Sequence, residues 1–300
     1  MTWLAPLDIG LLMGLLMAWA VISFALSFNL LDFPDLTPEG SLPLGAILFA
    51  ALIKTGMPLW LAIAGAMLAG ATAGALTAFI HTRFRLNKFL AGILVAAISY
   101  SICLRILGTS NIGLLNSPSI FDYVAHIDDA SWGWHFGTIS LLSGFLIVGV
   151  SSVLWGVQTR TGLKIRVAGS NPVYAKSIGI NVPLSLIIGL GLNNAMAAFA
   201  GALLAMHQGF ADVSMGQGVL ILVLASMTLG EHLVPERRLS FHAFVVISAV
   251  SGSILYQTLI AYAVRFGLNP VDLKLVTALL VLAVIAFRAS KEEHLLSERP

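Results

Sequence analysis

Charge is what this sequence has least of. Asp, Glu, Lys and Arg make up 10% of the 300 residues, hydrophobic residues make up 58%, and the mean hydropathy is +0.94. A soluble domain carries about 25% charged residues to solvate its surface. Too few are available here to cover a water-exposed exterior, so lipid must be the solvent for most of it. Alternating strands are also lacking, which removes the closed barrel as a way to satisfy backbone groups in lipid. The one cysteine, Cys103, excludes an internal disulfide and a multi-cysteine metal site, and its apolar surroundings indicate packing. No basic region, short apolar core and small-residue cleavage site open the chain, so no removable signal peptide is expected.

Catalytic signatures are missing as well. There is no G-x-x-x-x-G-K-[ST] loop, so any dependence on ATP must come from a partner. The histidines (His81, His126, His135, His207, His232, His242 and His294) are scattered without ligand spacing. No metal, cofactor or nucleic-acid partner is expected, and no Ser/His/Asp arrangement stands out.

What is present is a series of long apolar runs, near 9–31, 42–54, 57–80, 89–107, 137–157, 183–206, 217–230, 239–264 and 271–288. Roughly 20 apolar residues span the hydrocarbon core as a helix. The expected fold is an all-α, polytopic transmembrane bundle of about eight or nine segments in one domain over residues 1–300. Segments 42–54 and 217–230 are short, reading as half-helices or as obliquely packed broken helices.

Of the 16 lysines and arginines, 12 fall in four clusters, at 81–88, 158–182, 231–238 and the C-terminal tail. The spans put all four on one side, whereas loop 108–136 holds Asp122, Asp128 and Asp129 and no basic residue. By the positive-inside rule the clusters and the C-terminus are cytoplasmic, and the N-terminus is outside. Trp132 and Trp134 mark an interfacial belt.

The sequence also echoes itself. Phe33-Pro34-Asp35-Leu36-Thr37 returns as Phe210-Ala211-Asp212-Val213-Ser214 at an offset of 177. Arg83-Phe84-Arg85-Leu86-Asn87 returns as Arg265-Phe266-Gly267-Leu268-Asn269 at an offset of 182. The expected orientations of the two copies are opposite. That is the pattern of an inverted-topology repeat, with halves at about 9–107 and 183–288 joined by span 137–157 and loop 158–182. Two readings of the echoed motifs stand. Asp35 and Asp212, with Phe33 and Phe210, flank a solute path, or each Asp N-caps the short helix after it. Asn193 and Asn194 are the clearest mid-span polar pair, and His207 and Gln208 lie near the outer end. These four join the pathway candidates.

Loop 158–182 contains one more element. Ser170 or Asn171 suits an N-cap, Pro172 the first helical position and Gly179 a left-handed stop, so a helix of about two turns is expected over 173–178. Either a protein partner or anionic lipid covers it. Its pattern, Ala168-Gly169-x-Asn171-Pro172-x-x-Ala175-x-x-x-Gly179-Ile180, resembles the coupling segment of ABC importer permeases of the branched-chain amino acid and ribose group. Asp32-Phe33-Pro34-Asp35-Leu36-Thr37, Leu90-Ala91-Gly92-Ile93-Leu94-Val95, Gln208 to Gly216 and Asp272-Leu273-Lys274-Leu275 are similar to the tryptophan/tyrosine-type permease subgroup. The 231–238 turn carries none of its signature residues.

The resemblance implies a non-catalytic subunit in the cytoplasmic (inner) membrane of a bacterium, working as a homodimer. Its partners would be cytoplasmic ABC ATPase subunits and an external solute-binding lipoprotein. Gly169, Asn171, Pro172, Ala175 and Gly179 would form the ATPase-coupling element. The cargo implied is a small solute such as an aromatic or other amino acid. A secondary transporter or channel is the alternative; its usual buried mid-span ionisable residues are not evident, because Lys54, Arg105 and Lys274 lie near span ends.

Overall fold

The computed structural model describes residues 5–130, 135–235, 240–268, 275 and 279. Eleven α-helices follow in order among these residues. They are α1 (Ala5–Leu31), α2 (Pro38–Lys54), α3 (Leu59–Phe84), α4 (Lys88–Leu107), α5 (Ala125–Ala130) and α6 (Phe136–Gln158). Then come α7 (Arg160–Ser170), α8 (Pro172–Ser177), α9 (Val182–Gln208), α10 (Val219–Leu233) and α11 (Phe241–Arg265). Single 3₁₀ turns lie at Ile120–Tyr123 and Val213–Gly216. A strand pair also forms, β1 (Asn111–Gly113) antiparallel to β2 (Phe210–Asp212), with Asn111 opposite Asp212.

Seven stretches among the described residues are long and apolar enough to cross a membrane, fewer than the eight or nine expected. Two places account for the difference. Segment 271–288, apart from Leu275 and Leu279, lies outside the described residues, as do Trp132 and Trp134. The short 42–54 segment belongs to α2, an unbroken helix of 17 residues, or about 25 Å. It begins at Pro38, and Pro43 interrupts neither its course nor its burial. The other short segment is α10, with 15 residues and the Val213–Gly216 turn ahead of it.

α1 and α9 are apolar on every side and buried on most of them, as expected of helices at the centre of a bundle. By contrast, α3, α4 and α6 each turn a broad apolar face outward, where lipid replaces protein. Small residues bring the central pairs into backbone contact. A methyl group at Gly14 of α1 would fall 2.6 Å from Cα of Ile254 on α11. One at Gly74 of α3 would fall 2.1 Å from the Leu190 carbonyl on α9. Without a hydrophobic driving force between helices in lipid, such close approach is a main source of association.

Helix boundaries follow the two offsets found in the sequence. α1 and α9 end at Leu31 and Gln208, which are 177 apart. α3 and α11 start at 59 and 241, which are 182 apart. A left-handed residue stands 26 positions after each start, Arg85 (φ 55°) and Gly267 (φ 91°). α1 packs along α11, and its counterpart α9 packs along α3.

Contacts sort the connections to two ends. At one end Lys88 Nζ donates to the Asp32 carbonyl and pairs with its carboxylate at 3.1 Å, and α7 rests on the last turn of α1. At the other, β1 pairs with β2, and His135 at the start of α6 meets the buried Asp8 of α1, Nδ1 to Oδ2, at 2.6 Å.

Candidate functional site

Loop 158–182 folds into a helical hairpin, α7 and α8. Asn171 closes α7, its N–H donating to the Val167 carbonyl at 3.1 Å, and its Oδ1 accepts the N–H of Tyr174 at 2.9 Å, capping α8 with Pro172 at the first helical position. Gly179 ends the helix at φ 80°. Its N–H reaches the Lys176 carbonyl, and the Ile180 N–H reaches the Ala175 carbonyl at 2.9 Å. This is a Schellman closure, which satisfies carbonyls otherwise orphaned at a helix end.

α8 has two unlike faces. Val173 is 80% exposed, and Tyr174 and Ile178 stand out beside it. Ala175 is fully buried, in one apolar cluster with Ala168, Leu31, Phe33, Ala78, Leu186 and Leu190. Gly169 makes the junction possible, since a Cβ there would lie 2.5 Å from Cα of Leu31. The hairpin is thus seated directly on the end of α1, where the chain turns into the Asp35 motif.

Phe33 is buried edge-on to His81, 5.2 Å between ring centroids, with Lys88 Nζ 5.8 Å from its own centroid. Two residues on, Asp35 is fully buried. Its Oδ1 accepts the N–H and hydroxyl of Thr37, at 2.9 and 2.5 Å, and its Oδ2 accepts Asn194 Nδ2 at 2.6 Å. Thr37 Oγ1 meets Thr77 Oγ1 of α3 at 2.7 Å, and Ser41 Oγ of α2 donates to Asn194 Oδ1 at 2.7 Å. Next to it, Asn193 Nδ2 donates to Ser27 Oγ of α1 at 2.9 Å. Polar groups from α2, α3 and α9 and from the α1–α2 link thereby meet at mid-bundle, with the second bond holding α1 to α9. Buried polar groups are tolerated at such a place only when paired, and these are paired throughout. The N-cap of α2 is Thr37, not Asp35, whose carboxylate holds the turn just ahead of the helix.

Asp212 repeats that turn. Its Oδ1 accepts the N–H and hydroxyl of Ser214, at 2.7 and 2.5 Å, as the N-cap of the 3₁₀ turn. The surroundings differ: Asp212 is half-buried and Phe210 is exposed on the β2 strand. His207 closes α9 with its ring 5.8 Å from that of Phe121, and Gln208 is exposed beside it. The sequence candidates therefore separate into three places: the α7–α8 hairpin, the buried network of Asp35, Asn193 and Asn194, and the opposite end with His207, Gln208, Phe210 and Asp212. Thr77, Ser41 and Ser27 were not singled out by sequence. Their signal is faint, a hydroxyl within a run of small apolar residues. Among the described residues no group of three His, Cys, Asp or Glu side chains is placed to hold a metal ion.

A multi-pass helical bundle with a capped helix seated on one end and a sealed polar network at its centre is the architecture of a membrane transport protein. The chain belongs to the family of branched-chain amino acid transport system permease components, whose model matches residues 7–286. It is 33% identical over 280 residues to the tyrosine transport system permease protein of Clostridioides difficile, covering 91% of this chain and 88% of that one. An uncharacterized protein of Rickettsia prowazekii is 30% identical over 283 residues, covering 94% and 96% of the two chains. The galactose/methyl galactoside import permease protein of Escherichia coli K12 is 29% identical over 158 residues, 51% of this chain and 44% of that one. No solved structure matches the chain. The protein is a permease subunit of an ABC importer for a small solute, a class that works with ATPase and binding-protein partners.

Proposed function

We propose that this permease imports an amino acid, with an aromatic one as first choice, and that α8 receives the stroke of a cytoplasmic ATPase and passes it to the Asp35 network. The observation carrying the reading is the single apolar cluster that joins Ala175 of α8 and Ala168 of α7 to Leu31 and Phe33, two residues from Asp35. A displacement of α8 would press on this cluster and, through Leu31 and Phe33, on the turn that carries Asp35. The exposed Val173, Tyr174 and Ile178 form the face for the ATPase. The cargo class rests on the tyrosine permease relative, matched over nearly the whole chain.

Residues 1–300 act as one permease domain in the bacterial inner membrane, with the α7–α8 hairpin and the C-terminus cytoplasmic. Two copies pair, with a solute-binding lipoprotein on the outer face, and the subunit itself performs no chemistry. The halves 9–107 and 183–288 form an inverted repeat. Matching helix-end and helix-start offsets, the matched turns at Asp35 and Asp212, and the exchanged pairing of α1 with α11 and α9 with α3 support this. In this arrangement Phe33, Asp35, Asn193 and Asn194 control the inner half of the path, and His207, Gln208, Phe210 and Asp212 its outer half.

The test is ATPase activity and uptake in proteoliposomes holding permease and ATPase. Replacing Ala175 by Leu should leave co-purification of the ATPase intact while uptake falls at least tenfold. Full uptake by this variant would reject the coupling route.

A further inference from the structure

Near the end of the bundle away from α8, helices α1, α9, α10 and α11 and the Val213–Gly216 turn line an open-mouthed cavity of about 300 Å³. Three carboxamides line it, Gln208, Gln217 and Gln257, and no hydrogen bond joins them to another described residue. Gln257 stands eight residues before Arg265, the last residue of α11, about 12 Å in from the helix end. Gln257 is half-buried at that depth and Gln208 and Gln217 are exposed nearer the end, so the three amides face a space that water or a ligand fills. The rest of the wall is apolar and soft. Met13, Met17 and Met215 supply thioethers, which pack well against aromatic rings, and Tyr256 adds a ring of its own. Among the described residues no charged side chain lines the cavity.

The repeat offsets identify the counterpart of this cavity in the first half, and there it is filled. Met17 corresponds to Asn194, Leu204 to Ser27, Gln217 to Gly40, Tyr256 to Gly74 and Gln257 to Ala75. In the first half the position is occupied by Asn194, Asp35 and Ser41, bonded to one another. In the second half the bonding partner of the Asp motif is a methionine, and the space stays open. The two halves thus hold one structural position in two conditions, sealed on one side and hollow on the other.

We infer that the cavity is an outer resting site for the transported solute, and that it takes a zwitterionic amino acid with an uncharged, preferably aromatic, side chain. This rests on the permease reading above. The carboxamides offer donors to the carboxylate and acceptors to the ammonium group. The methionines accept the side chain, and a charged side chain would meet no countercharge there. A volume near the lower limit of small-molecule sites admits one such molecule.

The test uses the full chain in intact cells, with Gln257→Cys labelled from outside by a membrane-impermeant thiol reagent. The native Cys103 is fully buried and remains silent. Millimolar L-tyrosine or L-phenylalanine should slow labelling at least threefold, whereas L-glutamate and L-lysine should leave the rate unchanged. Gln217→Cys, on an exposed turn, gives a second reading should the first variant fold poorly. Leu115→Cys, exposed outside the cavity, should label at one rate under all conditions. No labelling at either cavity position, no slowing by the uncharged amino acids, or equal slowing by the charged ones would overturn the inference. Capture of the ATPase by the same variants tests the permease reading separately, so that lost protection with capture intact rejects the cavity assignment alone.

Discussion

Asn194 Nδ2 and Asp35 Oδ2 are 2.6 Å apart, a hydrogen bond closed across 159 positions of sequence. Asn194→Leu keeps the volume and removes both the donor to Asp35 and the acceptor for Ser41. Leaving buried polar groups unsatisfied costs about 1–3 kcal/mol, and more if the carboxylate is charged. Thermal unfolding of the purified permease should therefore shift to lower temperature, with uptake impaired. A variant as stable and as active as the parent would show that the network is dispensable.

Gly169 and Gly179 should fail for different reasons. Gly169→Val drives a branched side chain into the backbone of Leu31, so α7 must lift from α1, and ATPase stimulation by solute should be lost. At Gly179 the space is open and only the left-handed backbone resists, a cost of about 1–2 kcal/mol for an L-residue. Gly179→Asn should thus retain most coupling and Gly179→Val less. Equal behaviour of all three variants would contradict this separation.

Two glycines in apolar helices should respond oppositely to the same change. Gly74→Leu collides with the Leu190 carbonyl and should prevent accumulation of folded protein. Gly144 on α6 is exposed with open space where its Cβ would stand, so Gly144→Leu should be neutral or slightly stabilising. Fluorescence-detected size-exclusion chromatography of tagged variants decides between them.

The proposed orientation makes a direct labelling prediction. Val173 and Leu115 are 80% and 82% exposed at opposite ends of the bundle. An impermeant thiol reagent should modify Leu115→Cys in intact cells and Val173→Cys only after permeabilisation. The reverse pattern would invert the topology.

How much of this was legible in the sequence depended on the range of the interaction. α8 was read to within one residue, because its caps are side chains and backbone a few positions apart. The start of α2 was not, because hydropathy begins at Leu42 while helical hydrogen bonding begins at Pro38. Asp35 drew notice through its echo in Asp212. Its partners Asn194 and Thr37–Thr77 could not be assigned, since nothing local brings α3 and α9 to the same turn. The β1–β2 ladder escaped notice altogether, as three residues on each strand leave no periodicity to detect.

Arg85 and Gly267 lie 182 positions apart, each 26 residues after the start of its helix, α3 or α11, and both have positive φ. Glycine adopts that conformation freely, whereas arginine adopts it at a cost of about 1–2 kcal/mol. In the proposed orientation the arginine is the copy facing the cytoplasm, where basic residues fix which way a span inserts. On the proposed inverted repeat, one backbone plan used twice in opposite senses would be addressed differently at its two ends. The inward copy would accept local strain to carry the charge that anchors its topology, and the outward copy, free of that duty, would relax to glycine.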